Sequence, residues 1–166
     1  MKRRAIVIVT FIAGLYYVLE FLLPPRIGGS PDADGAASAT LVQTPSAEYL
    51  AYTGLRNDRM PVILGVRADG GGPRRTLVAP NFARKDDYRG ARAPEFVAPD
   101  RLYYIGLGYD DRTPRVCVAR YANGRWRPDA RAVLSNGGPG EPDASGIRWA
   151  SVLKPDAPGL PWRMWY

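Results

Sequence analysis

Three aspartates recur at one fixed place in this chain, and their type and spacing are what most readily suggest chemistry. Asp32, Asp87 and Asp143 open the segments Asp32-Ala-Asp-Gly-Ala-Ala-Ser-Ala-Thr-Leu-Val42, Asp87-Tyr-Arg-Gly-Ala-Arg-Ala-Pro-Glu-Phe-Val97 and Asp143-Ala-Ser-Gly-Ile-Arg-Trp-Ala-Ser-Val-Leu153. Each Asp is followed three residues on by Gly (Gly35, Gly90, Gly146), at the eighth place by a small residue (Ala39, Pro94, Ala150), and then by two closing apolar residues. The sequence contains no histidine, so Ser-His-Asp triads, His-based zinc sites and His general bases are excluded from it. Acid–base chemistry here must use carboxylates, and the three aspartates are the catalytic candidates. The architectural reading of the same motif is a turn, in which the Asp side chain accepts backbone N–H groups and Gly takes a positive φ.

The elements that would position these aspartates are legible as a repeat. The intervals from 32 to 87 and from 87 to 143 are 55 and 56 residues, a near-constant period that points to one supersecondary unit used again and again. A second repeat is locked to the first. Tyr49-Leu-Ala-Tyr-Thr-Gly54, Asp58-Arg-Met-Pro61 and Val62-Ile-Leu-Gly-Val-Arg-Ala-Asp-Gly70 correspond to Tyr103-Tyr-Ile-Gly-Leu-Gly108, Asp111-Arg-Thr-Pro114 and Val116-Cys-Val-Ala-Arg-Tyr-Ala-Asn-Gly124. Asp69-Gly70 and Asn123-Gly124 are hairpin signals. Strands are expected at Leu41-Val42, Tyr49–Tyr52, Val62–Val66 and Thr76–Ala79, then at Glu95–Val97, Leu102–Leu107, Val116–Arg120 and Arg131–Leu134. Four antiparallel strands per unit describe a propeller blade, with a β-sandwich as the structural alternative. A third unit starts at Asp143 and reaches Trp162–Tyr166, about half a blade, so the chain is expected to be a fragment of a longer protein or a truncated reading.

Composition agrees with many short strands. Gly 18 and Pro 16 in 166 residues favour turns over long helices, and 46% hydrophobic residues suffice for a core. The net charge of +7 raises the question of nucleic acid, but the arginines are scattered singly and no basic run follows Lys2-Arg3-Arg4, which argues against that partner. One cysteine, Cys117, lies in the apolar run Val116-Cys-Val-Ala119 and reads as a buried small hydrophobe; no intramolecular disulfide can form.

Residues 1–4 form a basic tail before the apolar run 5–23, which as a helix would span about 28 Å, near the thickness of a bilayer's hydrocarbon core. The expectation is a transmembrane signal anchor with a cytoplasmic N-terminus and an extracytoplasmic body, periplasmic or at the cell surface. A cleavable signal peptide cut near Ala37-Ser-Ala39 is the competing reading. Residues 24–31 form a linker rich in Pro and Gly, and the repeats occupy 32–166. The expected fold class is therefore all-β, a partial five-bladed β-propeller of about two and a half blades, preceded by one transmembrane α-helix.

The third unit carries a resemblance. Arg125-Trp126, the Asp143 segment, Ala150-Ser-Val-Leu153 and Met164-Trp-Tyr166 resemble blades of the five-bladed β-propeller glycosidases, the family 43, family 32 and levansucrase-like enzymes, with Ala150 standing where those blades carry Pro. Tyr52-Thr-Gly54 echoes the same pattern in the first unit; the second has Ile105-Gly-Leu107 instead. The resemblance implies carboxylates aimed into a central funnel, one acting as base or nucleophile and a Glu of raised pKa as acid, on a glycosidic bond and without a redox cofactor. It makes carbohydrate the expected partner, with no metal.

On that reading Asp32, Asp87 and Asp143 form a carboxylate ring, and Glu95, Arg92, Arg148 and Trp149 are candidates for substrate binding. Glu95 stands where the other units have Thr40 and Ser151; it suits acid or substrate-binding work, or equally a solvated edge. Arg92 and Arg148 occupy one repeat position and could hold a carboxylate or sugar hydroxyls, or form salt bridges between blades. Trp126, Trp149, Trp162 and Trp165 could stack on sugars, though most are expected in the core. Gly70–Gly72 and Gly137–Gly140 lack the strand-to-helix setting of a phosphate loop. The alternatives to an enzyme are a non-catalytic surface protein that binds glycan or protein, and a membrane-tethered structural protein.

Overall fold

β-branched and aromatic residues, interrupted by Gly, Asn and Asp turns, form ten strands in the computed structural model, which describes residues 37–56, 60–81, 83–109, 113–157 and 159–166. All of them belong to the unit Pro31–Tyr166. The first sheet is β1 (Ala37–Gln43), β2 (Glu48–Leu55), β3 (Pro61–Arg67) and β4 (Arg75–Val78), in that order and antiparallel throughout. The second repeats it as β5 (Gly90–Val97), β6 (Arg101–Leu107), β7 (Arg115–Ala122) and β8 (Arg125–Pro128). The third pairs β9 (Ser151–Leu153) with β10 (Arg163–Trp165).

The described chain is thus all-β, with three antiparallel sheets of four, four and two strands. This corrects the expected fold class of a transmembrane helix followed by about two and a half blades of a five-bladed propeller. Among the described residues there is no helix, and so none long and apolar enough to cross a membrane. The physical reason is local. Burial along the second strand alternates Glu48 exposed, Tyr49 buried, Leu50 exposed, Ala51 buried, and among the described residues turns break the apolar runs before they reach helical length. The expected span 5–23, the basic tail, the linker and Asp32 lie outside the described residues.

One strand differs from its expected place. The fourth strand of the second unit is Arg125–Pro128 rather than Arg131–Leu134, which supplies only an isolated bridge from Leu134 to Val116. Asn123 and Gly124 take φ of 52° and 76°, the left-handed pair of a tight two-residue hairpin, so the chain folds straight back onto β7.

Two cores separate the sheets. Val42, Ala51, Ile63 and Val78 of the first sheet meet Leu102, Tyr104, Cys117 and Trp126 of the second, with Phe96 edge-on to Trp126 at 6.2 Å. On its other face the second sheet sets Tyr103, Ile105, Val116 and Val118 against Ile147 and Val152 of the third unit. One joint recurs between units. Gly90 takes φ 142° against Pro61, where a Cβ would lie 2.5 Å from the Pro61 carbonyl oxygen, and Gly146 takes φ 100° against Pro114. The Ile147 N–H also donates to the Pro114 carbonyl at 3.1 Å. The Gly of the second and of the third Asp-x-x-Gly turn therefore seats on the proline that ends the Asp-Arg-x-Pro segment of the preceding unit. That contact is why the two sequence repeats stay in phase.

Candidate functional site

Asp87 is the best defined of the aspartates, and it faces inward. Only 1% exposed, it accepts from Arg84 Nε at 2.9 Å, forms an ion pair with Arg84 Nη2, and accepts from the Tyr104 hydroxyl at 3.0 Å. Arg84 also donates to the Pro128 carbonyl at 3.2 Å. The carboxylate thus joins the turn before β5 to strand β6 and the end of β8. Burial raises its carboxyl above the ordinary carboxylate value, while Arg84 and Tyr104 oppose the shift. Its neighbour Asp86 works the same way, pairing with Arg115 of β7 and accepting from the Ala132 N–H at 2.8 Å. These contacts tie the turn before β5 to β6, β7, the end of β8 and the segment at Ala132.

The turn itself differs in detail from the expected side-chain turn. The main-chain carbonyls of Asp87 and Asp143 accept from the N–H of Gly90 and Gly146, at 3.3 and 2.9 Å, and the side chains are left for other partners. Asp143 is partly buried beside Gly137, whose missing Cβ makes room for the carboxylates of Asp143 and Glu141. The Gly138 N–H donates to Glu141 Oε2 at 2.9 Å, so this Gly-rich stretch is a loop folded on its own acids. Asp32 is outside the described residues, and the three aspartates are not seen as one ring.

Glu95 is placed differently. It lies on β5 opposite Tyr103, on the face turned to the third unit, and its carboxyl is hydrogen-bonded to the Ser151 side chain of β9. Burial holds it above the usual carboxylate value, partly offset by that hydrogen bond. At the equivalent place between the first two sheets, Thr40 Oγ1 accepts the Phe96 N–H at 3.3 Å, and Thr53 Oγ1 accepts the Ala93 N–H at 2.8 Å. Glu95 is therefore a longer, ionisable side chain at a position whose counterpart only joins units.

Arg92 shares the Glu95 face, because it is paired with Ile105 of the second core. Between them the strand bulges, with Ala93 at φ 50°; Ser38 takes φ 51° at the same repeat place in β1. Such bulges re-aim the side chains beside them. Arg148 and Trp149 are exposed, just ahead of β9. Three of the four tryptophans are surface residues, contrary to the expected core role. Trp149 is 55% and Trp165 51% exposed, Trp162 lies under the Arg101 guanidinium at 4.5 Å, and Trp126 alone is buried. The third sheet turns Val152 inward and leaves Ser151, Leu153, Arg163 and Trp165 outside.

The structure thus brings Glu95 to Ser151, whose cross-strand partner is Trp165 and which follows Trp149 by two residues. Arg92 flanks this group, and Asp87 is withdrawn from it. The network of Arg84, Asp86, Tyr104 and Arg115 was not singled out by sequence reasoning. Its one signal was the doubled acid Asp86-Asp87 beside a motif expected to carry a single one. Among the described residues no cluster of His, Cys, Asp and Glu could hold a metal ion. No family model, curated protein or solved structure matches the chain.

Proposed function

We propose that the chain binds carbohydrate at the seam between the second and third sheets, around the Glu95–Ser151 hydrogen bond. One observation carries the reading: the polar pair is bordered by two exposed indoles, Trp149 two residues before Ser151 and Trp165 opposite it. Sugars ask for this combination, a flat apolar ring face for the pyranose C–H groups and a few polar groups that fix hydroxyl positions.

Binding is favoured over cleavage by what the carboxylates do. Hydrolysis of a glycosidic bond takes two carboxyl groups, roughly 5 to 9.5 Å apart across it. Glu95 would suit the acid, since burial keeps its proton on more readily than in water. Asp87 cannot be its partner while it is held by Arg84 and Tyr104.

The test is a titration of the full chain against a panel of neutral and acidic oligosaccharides, by array and then calorimetry. Trp149→Ala and Trp165→Ala are each expected to weaken binding about tenfold, the cost of one interface anchor. A panel with no binder refutes the reading. Release of reducing ends that Glu95→Gln abolishes would replace binding by hydrolysis.

A further inference from the structure

Among the described residues two partly buried arginines, Arg84 and Arg115, are paired with aspartates, and Arg92 is not. Arg84 is paired with Asp87 and Arg115 with Asp86, and even the more exposed Arg67 and Arg120 hold Asp69 and Asp129. Arg92 is only partly exposed, its Nε is sealed from solvent without an acceptor, and it forms no hydrogen bond or ion pair with any described residue. The salt bridge between units that its repeat position suggested is absent from the described residues. A half-buried cation without a counter-ion is costly, because desolvation is not offset by a partner.

The surroundings do not supply that partner. Glu95, on the same face, is engaged with Ser151 and its ionisation is disfavoured by burial. The bulge at Ala93 separates the two residues and sets the direction of each. The equivalent bulge in β1 follows Ala37, so of these two bulges only the one in β5 presents an arginine; the third unit carries the exposed Arg148 at the same repeat position. Arg92 Nε is buried without an acceptor, the residue as a whole is only partly buried, and no described residue pairs with the guanidinium, so an acceptor for it has to come from outside the described residues.

We propose that Arg92 is the anchor for the carboxylate of an acidic sugar, a uronic-acid unit docked on the guanidinium while its ring lies against the tryptophans at the seam. This rests on the carbohydrate reading above and narrows it to one class of ligand. Planar guanidinium matches carboxylate in a two-point contact that lysine cannot reproduce.

The experiment compares oligogalacturonate, oligoglucuronate and oligomannuronate with their neutral methyl esters, titrated against the full chain, Arg92→Gln, Arg92→Lys and, as a control for general attraction by a basic protein, Arg127→Gln on the exposed face of β8. The expected result is binding of at least one acid at least tenfold tighter than its ester, a charged hydrogen-bonded contact being worth roughly 10- to 100-fold. That preference should vanish in Arg92→Gln, fall in Arg92→Lys and survive in Arg127→Gln. Esters bound as tightly as acids, or a preference kept by Arg92→Gln, overturns the assignment of Arg92 and leaves the carbohydrate reading standing. If no acid and no ester binds, both fall. Thermal unfolding supplies an independent reading: an anchor that waits for its ligand can be replaced by Gln with no loss of melting temperature, whereas a marked drop would make Arg92 a structural residue and overturn the proposal.

Discussion

Replacing Asp87 by Asn keeps the shape of the side chain and removes the charge that faces Arg84, so it separates a structural carboxylate from a chemical one. The Arg84 and Asp87 side chains are 16% and 1% exposed. Removing one partner of a pair buried this deeply costs roughly 3 to 5 kcal/mol, since the other charge is left without compensation. Arg84 keeps its bond to the Pro128 carbonyl, and the Asn oxygen can still accept one N–H, which puts the expected cost at the low end, about 3 kcal/mol. With an unfolding entropy of roughly 2.1 cal/mol/K per residue over the Pro31–Tyr166 unit, this is a fall in Tm on the order of 10 °C. Tyr104→Phe removes one hydrogen bond and should cost about 1 kcal/mol, and the double variant should lose less than the sum, because both act on the same carboxylate. Urea and thermal unfolding followed by circular dichroism measure all three. The reasoning is refuted if Asp87→Asn unfolds within a degree or two of the parent yet loses glycan binding or cleavage. Asp87 would then belong to the chemistry after all.

Other outcomes follow from the same geometry. Gly90→Ala and Gly146→Ala force a Cβ into Pro61 and Pro114 at positive φ, and each should cost about 3 kcal/mol, whereas Gly138→Ala, with open space around it, should stay within about 0.5 kcal/mol in the same unfolding assay. Glu95 has a folded-state pKa raised above its unfolded value, so the stability it contributes is present at acid pH and is lost as pH rises through the folded value; Glu95→Gln should therefore gain on the parent as pH rises above the ordinary carboxylate range, by under about 1 kcal/mol, in unfolding measured as a function of pH. Cys117, buried and pushed up to about 12, should resist a thiol reagent at pH 8 in the folded chain and react at once in denaturant; rapid labelling of native protein would contradict its place in the first core.

Strand type and repeat were determined by the sequence alone, because they depend on neighbours along the chain. Alternating apolar residues, the Asn123-Gly124 hairpin and the near-constant spacing of the Asp-x-x-Gly segments are local signals, and the two four-stranded sheets with their antiparallel order follow from them. The joint that keeps the repeats in phase was visible as two motifs but not as a contact, since Gly90 meets Pro61 and Gly146 meets Pro114 only when one sheet lies on the next. The roles of the acids were decided by tertiary structure. Asp87 and Glu95 are both carboxylates within one strand's reach, yet one is turned into a core beside Arg84 and Tyr104 and the other onto a seam beside Ser151. What separates them is desolvation and the partners supplied from distant strands, quantities that no spacing of residue types along a chain contains. The same holds for Arg92 and the tryptophans: their places in the sequence resemble those of paired and buried residues, and only the packing of three sheets leaves the guanidinium without an acid and the indoles in solvent.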